Sequence, residues 1–136
     1  MSPIGRKRTF LAIVLAVLLG QFAAAQSIKR IGPNEVKGLV AARKATILDV
    51  RDLASFDAGR IAGAERLDRS KLEDESYVAR LKSSERMLIL YCACIDEGSS
   101  LKSAKVLLSL GVTNLAVLKG GYQAWVATGG PLQRGK

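Results

Sequence analysis

The feature that most limits the fold is Met87-Leu88-Ile89-Leu90-Tyr91-Cys92, an unbroken apolar run followed at once by a loop and a helical pattern. A strand without polar alternation suits a place covered on both faces, as at the centre of a parallel sheet. Ala45-Thr46-Ile47-Leu48-Asp49-Val50 repeats the signal, apolar and partly β-branched, and ends on the charged Asp49 and Arg51. Asn114 to Leu118 is a further strand. Helical patterns lie between these segments. Asn34 is placed to cap a helix with Glu35 in its first turn and Val36, Leu39, Val40 and Arg43 at helical spacing. Glu73-Asp74-Glu75 sets negative charge at the start of a helix carrying Tyr77, Val78 and Leu81. Gly98-Ser99-Ser100 opens another, with Leu101, Ala104, Leu107 and Leu108 as its apolar face and Lys102, Ser103, Lys105 and Ser109 outside. Gly111 stops it. The stretch containing Phe56, Gly59, Ile61 and Gly63 reads as turns, and a final helical turn forms around Trp125 before Gly129-Gly130-Pro131. Strands alternating with helices predict an α/β fold with a parallel sheet wrapped on both faces.

The N-terminal segment carries a different signal. Arg6, Lys7 and Arg8 precede the uncharged run Phe10 to Leu19, Gly20 breaks that run, and Ala23-Ala24-Ala25 offers small residues before Gln26. Basic start, short apolar centre and small-residue exit predict a secretory signal peptide over residues 1–25, cleaved after Ala25. The Ala-x-Ala exit argues against an uncleaved membrane anchor. Residues 26–136 then form one domain with a modest core, periplasmic or secreted and with no membrane association after cleavage. Losing three basic residues and no acid takes the formal charge from +9 to +6. The remaining Lys and Arg are scattered, without the basic stripe or aromatic platform of a nucleic-acid binder, so no nucleic-acid partner is expected.

Cys92-Ala93-Cys94 holds both cysteines of the chain. Thiols one residue apart close no long loop and do not staple a fold. Two cysteines and no histidine make neither a structural zinc site nor a Cys–His pair, and no metal or cofactor is expected. In open parallel sheets reactive groups gather beyond the carboxyl ends of the strands. Cys92 and Cys94 lie there, between the most apolar strand and the helix near Ser99. The unpaired amides and positive end of a helix N-terminus stabilise a thiolate or a persulfide. Cys92 continues the strand register and reads first as a buried small hydrophobe, whereas Cys94 has entered the loop and reads first as the reactive thiol. That loop carries Asp96 and Glu97 and no cation before Lys102. The acids either raise the thiol pKa and repel anions or point into solvent as helix N-terminal charges. Without an Arg fork a phosphatase-like mechanism is disfavoured, and a neutral or protein-bound sulfur donor fits better than thiosulfate.

Taken in order, these residues resemble a known family. Asp49-Val50-Arg51, Phe56 and Gly59-Arg60-Ile61-Ala62-Gly63-Ala64 are similar to the D-V-R…F…G-H-I-P-G-A signature of rhodanese-like domains. Tyr91-Cys92, Leu110-Gly111 and Leu118-Lys119-Gly120-Gly121-Tyr122-Gln123-Ala124-Trp125 resemble its remaining motifs, so the likeness runs from about Ile31 to Pro131. It implies a rhodanese-like α/β fold, roughly a five-stranded parallel sheet flanked by helices on both faces. It also implies a loop cysteine that becomes a persulfide and passes sulfur from a small donor to a thiophilic acceptor, including a thiol- or persulfide-bearing protein. The family's Cys-x5-Ser frame and its helix spacing to Gly111 select Cys94 as nucleophile; its Tyr-Cys pair selects Cys92, which stays the alternative. Ile95, Asp96, Glu97, Gly98, Ser99 and Ser100 would then form the sulfur-binding loop. Arg51 is a further candidate for substrate binding, although Asp49 and Arg51 also suit an anchoring role. Tyr-Cys-x-Cys-x-x-Glu resembles a variant subgroup whose pattern includes Glu97. Arg60 and Ala62 stand where the family has His and Pro, in a turn that is mainly structural. Three functions compete: a sulfurtransferase, a thiol–disulfide redox protein using both cysteines, and a non-catalytic module keeping the fold.

Overall fold

A computed structural model describes residues 27–135, so the signal peptide expected over residues 1–25 lies outside the described residues. The strands expected from sequence form β2 (Ala45–Asp49), β5 (Met87–Tyr91) and β6 (Leu115–Leu118). Two-residue strands extend the sheet at its sides: β1 (Arg30–Ile31) beside β6 and β4 (Glu65–Arg66) beside β2. The order is β1-β6-β5-β2-β4, all parallel, with Asp49 level with Tyr91 across the β2–β5 pair. Parallel pairing brings the carboxyl ends of β2, β5 and β6 to one edge, where the loops bearing Arg51, Cys94 and Gly120 meet.

Both faces are covered, as the unbroken apolar strands require. Ile89 and Tyr91 of β5 face a core completed by Val36 of helix α1 (Pro33–Ala41) and Trp125 of helix α5 (Gly121–Ala127). Leu88 and Leu90 face the opposite core, with Val78 and Leu81 of helix α3 (Glu75–Lys82) and Ala104 and Leu107 of helix α4 (Gly98–Ser109). The period-2 alternation of β5 therefore feeds two cores rather than one core and solvent.

Several local expectations shift. Helix α1 is capped by Gly32, with Pro33 at its first position, so Asn34 lies inside the first turn and is not the cap; proline's fixed φ suits that start. The presumed turns around Phe56 contain a short helix, α2 (Leu53–Ala58), because the Asp52 side chain accepts the Ser55 amide and caps it. A small antiparallel ribbon, β3 (Arg60–Ile61) with β7 (Leu132–Gln133), ties that region to the chain's end. The buried stripe of α4 is Ser100, Ser103, Ala104 and Leu107. Ser103, expected outside, is 2% exposed, and its hydroxyl has no partner among the described residues. Leu101 and Leu108, expected on the inner face, are partly buried and pack against the same core from the edges of that stripe.

Candidate active site

At the exit of β2, Asp49 is fully buried and accepts hydrogen bonds from the Arg51 backbone amide, the Arg51 guanidinium and the Tyr91 hydroxyl. Arg51 Nη2 also donates to the Gly59 carbonyl at 2.7 Å, and Arg51 Cζ lies 4.4 Å from the Tyr122 ring centre. Burial, then the hydrogen bond to Asp49 and its charge, raises the Tyr91 hydroxyl pKa. Tyr91 thus stays a neutral donor to Asp49 and accepts the Ile61 amide at 3.2 Å. Arg51, a candidate for substrate binding from sequence, has its guanidinium engaged by these internal acceptors.

At the exit of β5 the two cysteines part. Cys92 is buried, with its sulfur 3.5 Å from Ser100 Oγ. Cys94 is exposed, with its sulfur 3.6 Å from Ser99 Oγ. Three donors lower the Cys94 thiol pKa: first the Ser99 hydroxyl, then the Ser99 amide, then the Cys92 thiol. A slight loss of solvation and the charge of Asp96 oppose them but do not prevail. Cys94 is therefore biased toward the nucleophilic thiolate at the mouth of α4. Not every amide of the expected cradle points to it. The Glu97 amide donates to the Cys94 carbonyl at 3.2 Å and the Gly98 amide to Asp96 Oδ1 at 3.1 Å. Ile95, the residue after Cys94, is 73% exposed.

Glu97 does not face solvent. It is 1% exposed, sits in the left-handed backbone region (φ 56°), pairs with Arg30 and accepts the Gly120 amide at 2.5 Å. Arg30 enters from β1, so the site holds a cation that the loop sequence lacks. The loop after β6 closes the other side. The Tyr122 amide donates to the Cys92 carbonyl at 2.9 Å, and a Cβ on Gly121 would stand 2.5 Å from that same oxygen. Gly121 is thus fixed as glycine by this approach as well as by its φ of +60°. Arg30 and the Gly120 amide are the site groups that sequence reasoning missed; only contacts across the fold reveal them.

The comparisons with known proteins agree with this architecture. The family model described as a rhodanese-like domain matches residues 32–128. Thiosulfate sulfurtransferase GlpE of Ectopseudomonas mendocina (strain ymp) is 33% identical over 100 residues, covering 74% of this chain and 86% of that protein. GlpE of Pseudomonas putida (strain GB-1) is 31% identical with the same coverage. The solution structure of the rhodanese-like domain of the Anabaena sp. protein Alr3790 matches with a TM-score of 0.64 at 30% identity, covering 79% of this chain and 80% of that one. By its five-stranded parallel sheet, its ordered motifs and these matches, the chain belongs to the rhodanese-like domain family.

Proposed function

We propose that this chain is a rhodanese-type sulfurtransferase that carries sulfane sulfur as a persulfide on Cys94. The carrying observation is the exposed Cys94 sulfur, set against the hydroxyl and amide of Ser99 with a lowered pKa. The relatives named thiosulfate sulfurtransferase support the reaction class. The Cys94 thiolate attacks the outer sulfur of a donor, and the donor's sulfur–sulfur bond breaks with its electron pair leaving on the donor remnant. The negative terminal sulfur is held at the helix mouth. An acceptor thiol then takes that sulfur, and Cys94 leaves as thiolate.

An uncharged or protein-bound donor fits better than a dianion. Asp96 is the exposed charge of the loop, Arg51 is engaged by Asp49, and Arg30 is paired with Glu97. Residues 1–25 direct the chain out of the cytoplasm, which N-terminal sequencing of the exported form checks by finding Gln26 first. Incubation with glutathione persulfide should add about 32 daltons, one sulfur atom, to Cys94. Cys94→Ser should abolish the adduct. An adduct that survives Cys94→Ser and disappears in Cys92→Ser would refute the assignment.

A further inference from the structure

The transfer step leaves Cys92 idle, yet its surroundings are specific. The residue is 2% exposed, with its sulfur 3.5 Å from Ser100 Oγ and 3.8 Å from the Cys94 carbonyl oxygen. Ser100 has one hydroxyl proton and donates it to the Glu97 carbonyl at 3.1 Å. Its oxygen therefore meets Cys92 as an acceptor. A thiol closed off from solvent, with the reactive Cys94 only two residues further along the chain, has one electrophile within reach: the species formed on Cys94.

We propose that Cys92 resolves the Cys94 persulfide internally, which gives the protein a sulfide-releasing activity on sulfane sulfur in addition to transfer. This rests on the persulfide reading above. The Cys92 proton passes to the terminal sulfur of the Cys94 persulfide anion, and the Cys92 thiolate attacks Cys94 Sγ. The Cys92–Cys94 disulfide bond forms. The bond from Cys94 Sγ to the terminal sulfur breaks, and its electron pair leaves on hydrosulfide. Both cysteine sulfurs end oxidised in the disulfide and the sulfane sulfur ends reduced, so no outside oxidant enters. A disulfide across one intervening residue is strained and readily reduced; a pair of low-molecular-weight thiols reopens it and resets the site. The outcome depends on which sulfur is attacked. An acceptor from solvent takes the terminal sulfur and completes transfer. Cys92, from the core side, takes the inner one and releases sulfide.

The test loads the purified chain with glutathione persulfide, removes small molecules, and follows sulfide release and intact mass without added thiol. The wild type should lose the sulfur adduct, release sulfide in step with that loss, and finish lighter by two hydrogens, with Cys92 and Cys94 recovered as one disulfide-linked peptide. Cys92→Ser should keep its adduct at least about tenfold longer and release little sulfide. Cys92→Ala, which places no polar group at the buried position, provides a second variant, and the linked peptide in the wild type needs no variant. Equal adduct lifetimes in wild type and variants, with no linked peptide, overturn the internal step and leave the persulfide reading intact. Absence of any adduct on Cys94 in all three proteins overturns both.

Discussion

Asp49 and Glu97 are both buried beside the strand exits, and they are held in opposite ways. Asp49 sits in a closed cluster. Its donors come from Arg51, two residues on, and from Tyr91 on the adjoining strand, and the Arg51 side chain is itself only 10% exposed. Glu97 joins distant parts of the chain. Its cation, Arg30, lies 67 residues away with its side chain 49% exposed, and its other donor is the Gly120 amide from the loop after β6. The first arrangement is desolvated and saturated, so its value is rigidity at the centre of the sheet. The second is a latch across the exits of β1, β5 and β6 with one side in water, so its value is the posture of the cysteine loop.

That contrast gives the largest expected effect to Asp49. Asp49→Ala leaves the Arg51 guanidinium buried without its counter-charge, a change that costs about 3–5 kcal/mol. Urea unfolding should show it as a midpoint lowered without a changed slope. Glu97→Gln keeps an acceptor for the Gly120 amide and loses a charge whose partner is half in water, so its stability loss should be about 1 kcal/mol. Its sulfur-loading rate should nevertheless fall further than its stability, because the loop holding Ser99 against Cys94 is what the latch fixes. If Glu97→Gln destabilises as much as Asp49→Ala, or loads sulfur at the wild-type rate, the two carboxylates do not divide their roles this way.

The same contrast explains which parts of the molecule could be read from sequence. Partners close along the chain, or repeated along an element, leave local patterns. The strands β2, β5 and β6, the helix beginning at Gly98 and the pairing of Asp49 with Arg51 are of this kind. Two-residue strands such as β1 and β4 are too short to show a period. Helix α2 buries no residue and so lacks an apolar stripe; its one local sign is Asp52 three residues before Ser55. Ser103 is polar, so helical periodicity puts it outside, whereas it lies 2% exposed in the buried stripe of α4. Glu97 leaves no local sign of its burial. Its neighbours in sequence are polar loop residues, and both the cation and the amide that bury it come from elsewhere in the chain.

Effects confined to the thiol itself should be smaller and readable by alkylation against pH. Ser99→Ala removes the largest influence lowering the Cys94 pKa while leaving the Ser99 amide position in place. The pKa should therefore move back up, and alkylation by iodoacetamide at neutral pH should slow several-fold as the thiolate fraction falls. An unchanged pH profile would mean that the hydroxyl 3.6 Å from Cys94 does not stabilise the thiolate.

Asp96→Asn should act in the opposite direction and more weakly. Asn keeps an oxygen for the Gly98 amide, so the turn is preserved while the one exposed acid of the loop loses its charge. That charge raises the Cys94 pKa, so its removal should lower the pKa and speed alkylation by the neutral iodoacetamide slightly. Anionic iodoacetate should gain more, since the same substitution also removes repulsion from the approaching reagent. Because Asp96 stands in water, the difference between the two reagents should shrink as salt shortens the Debye length to about 3 Å at 1 M. A gain that is equal for both reagents, or indifferent to salt, would place the influence of Asp96 in the shape of the turn rather than in its charge.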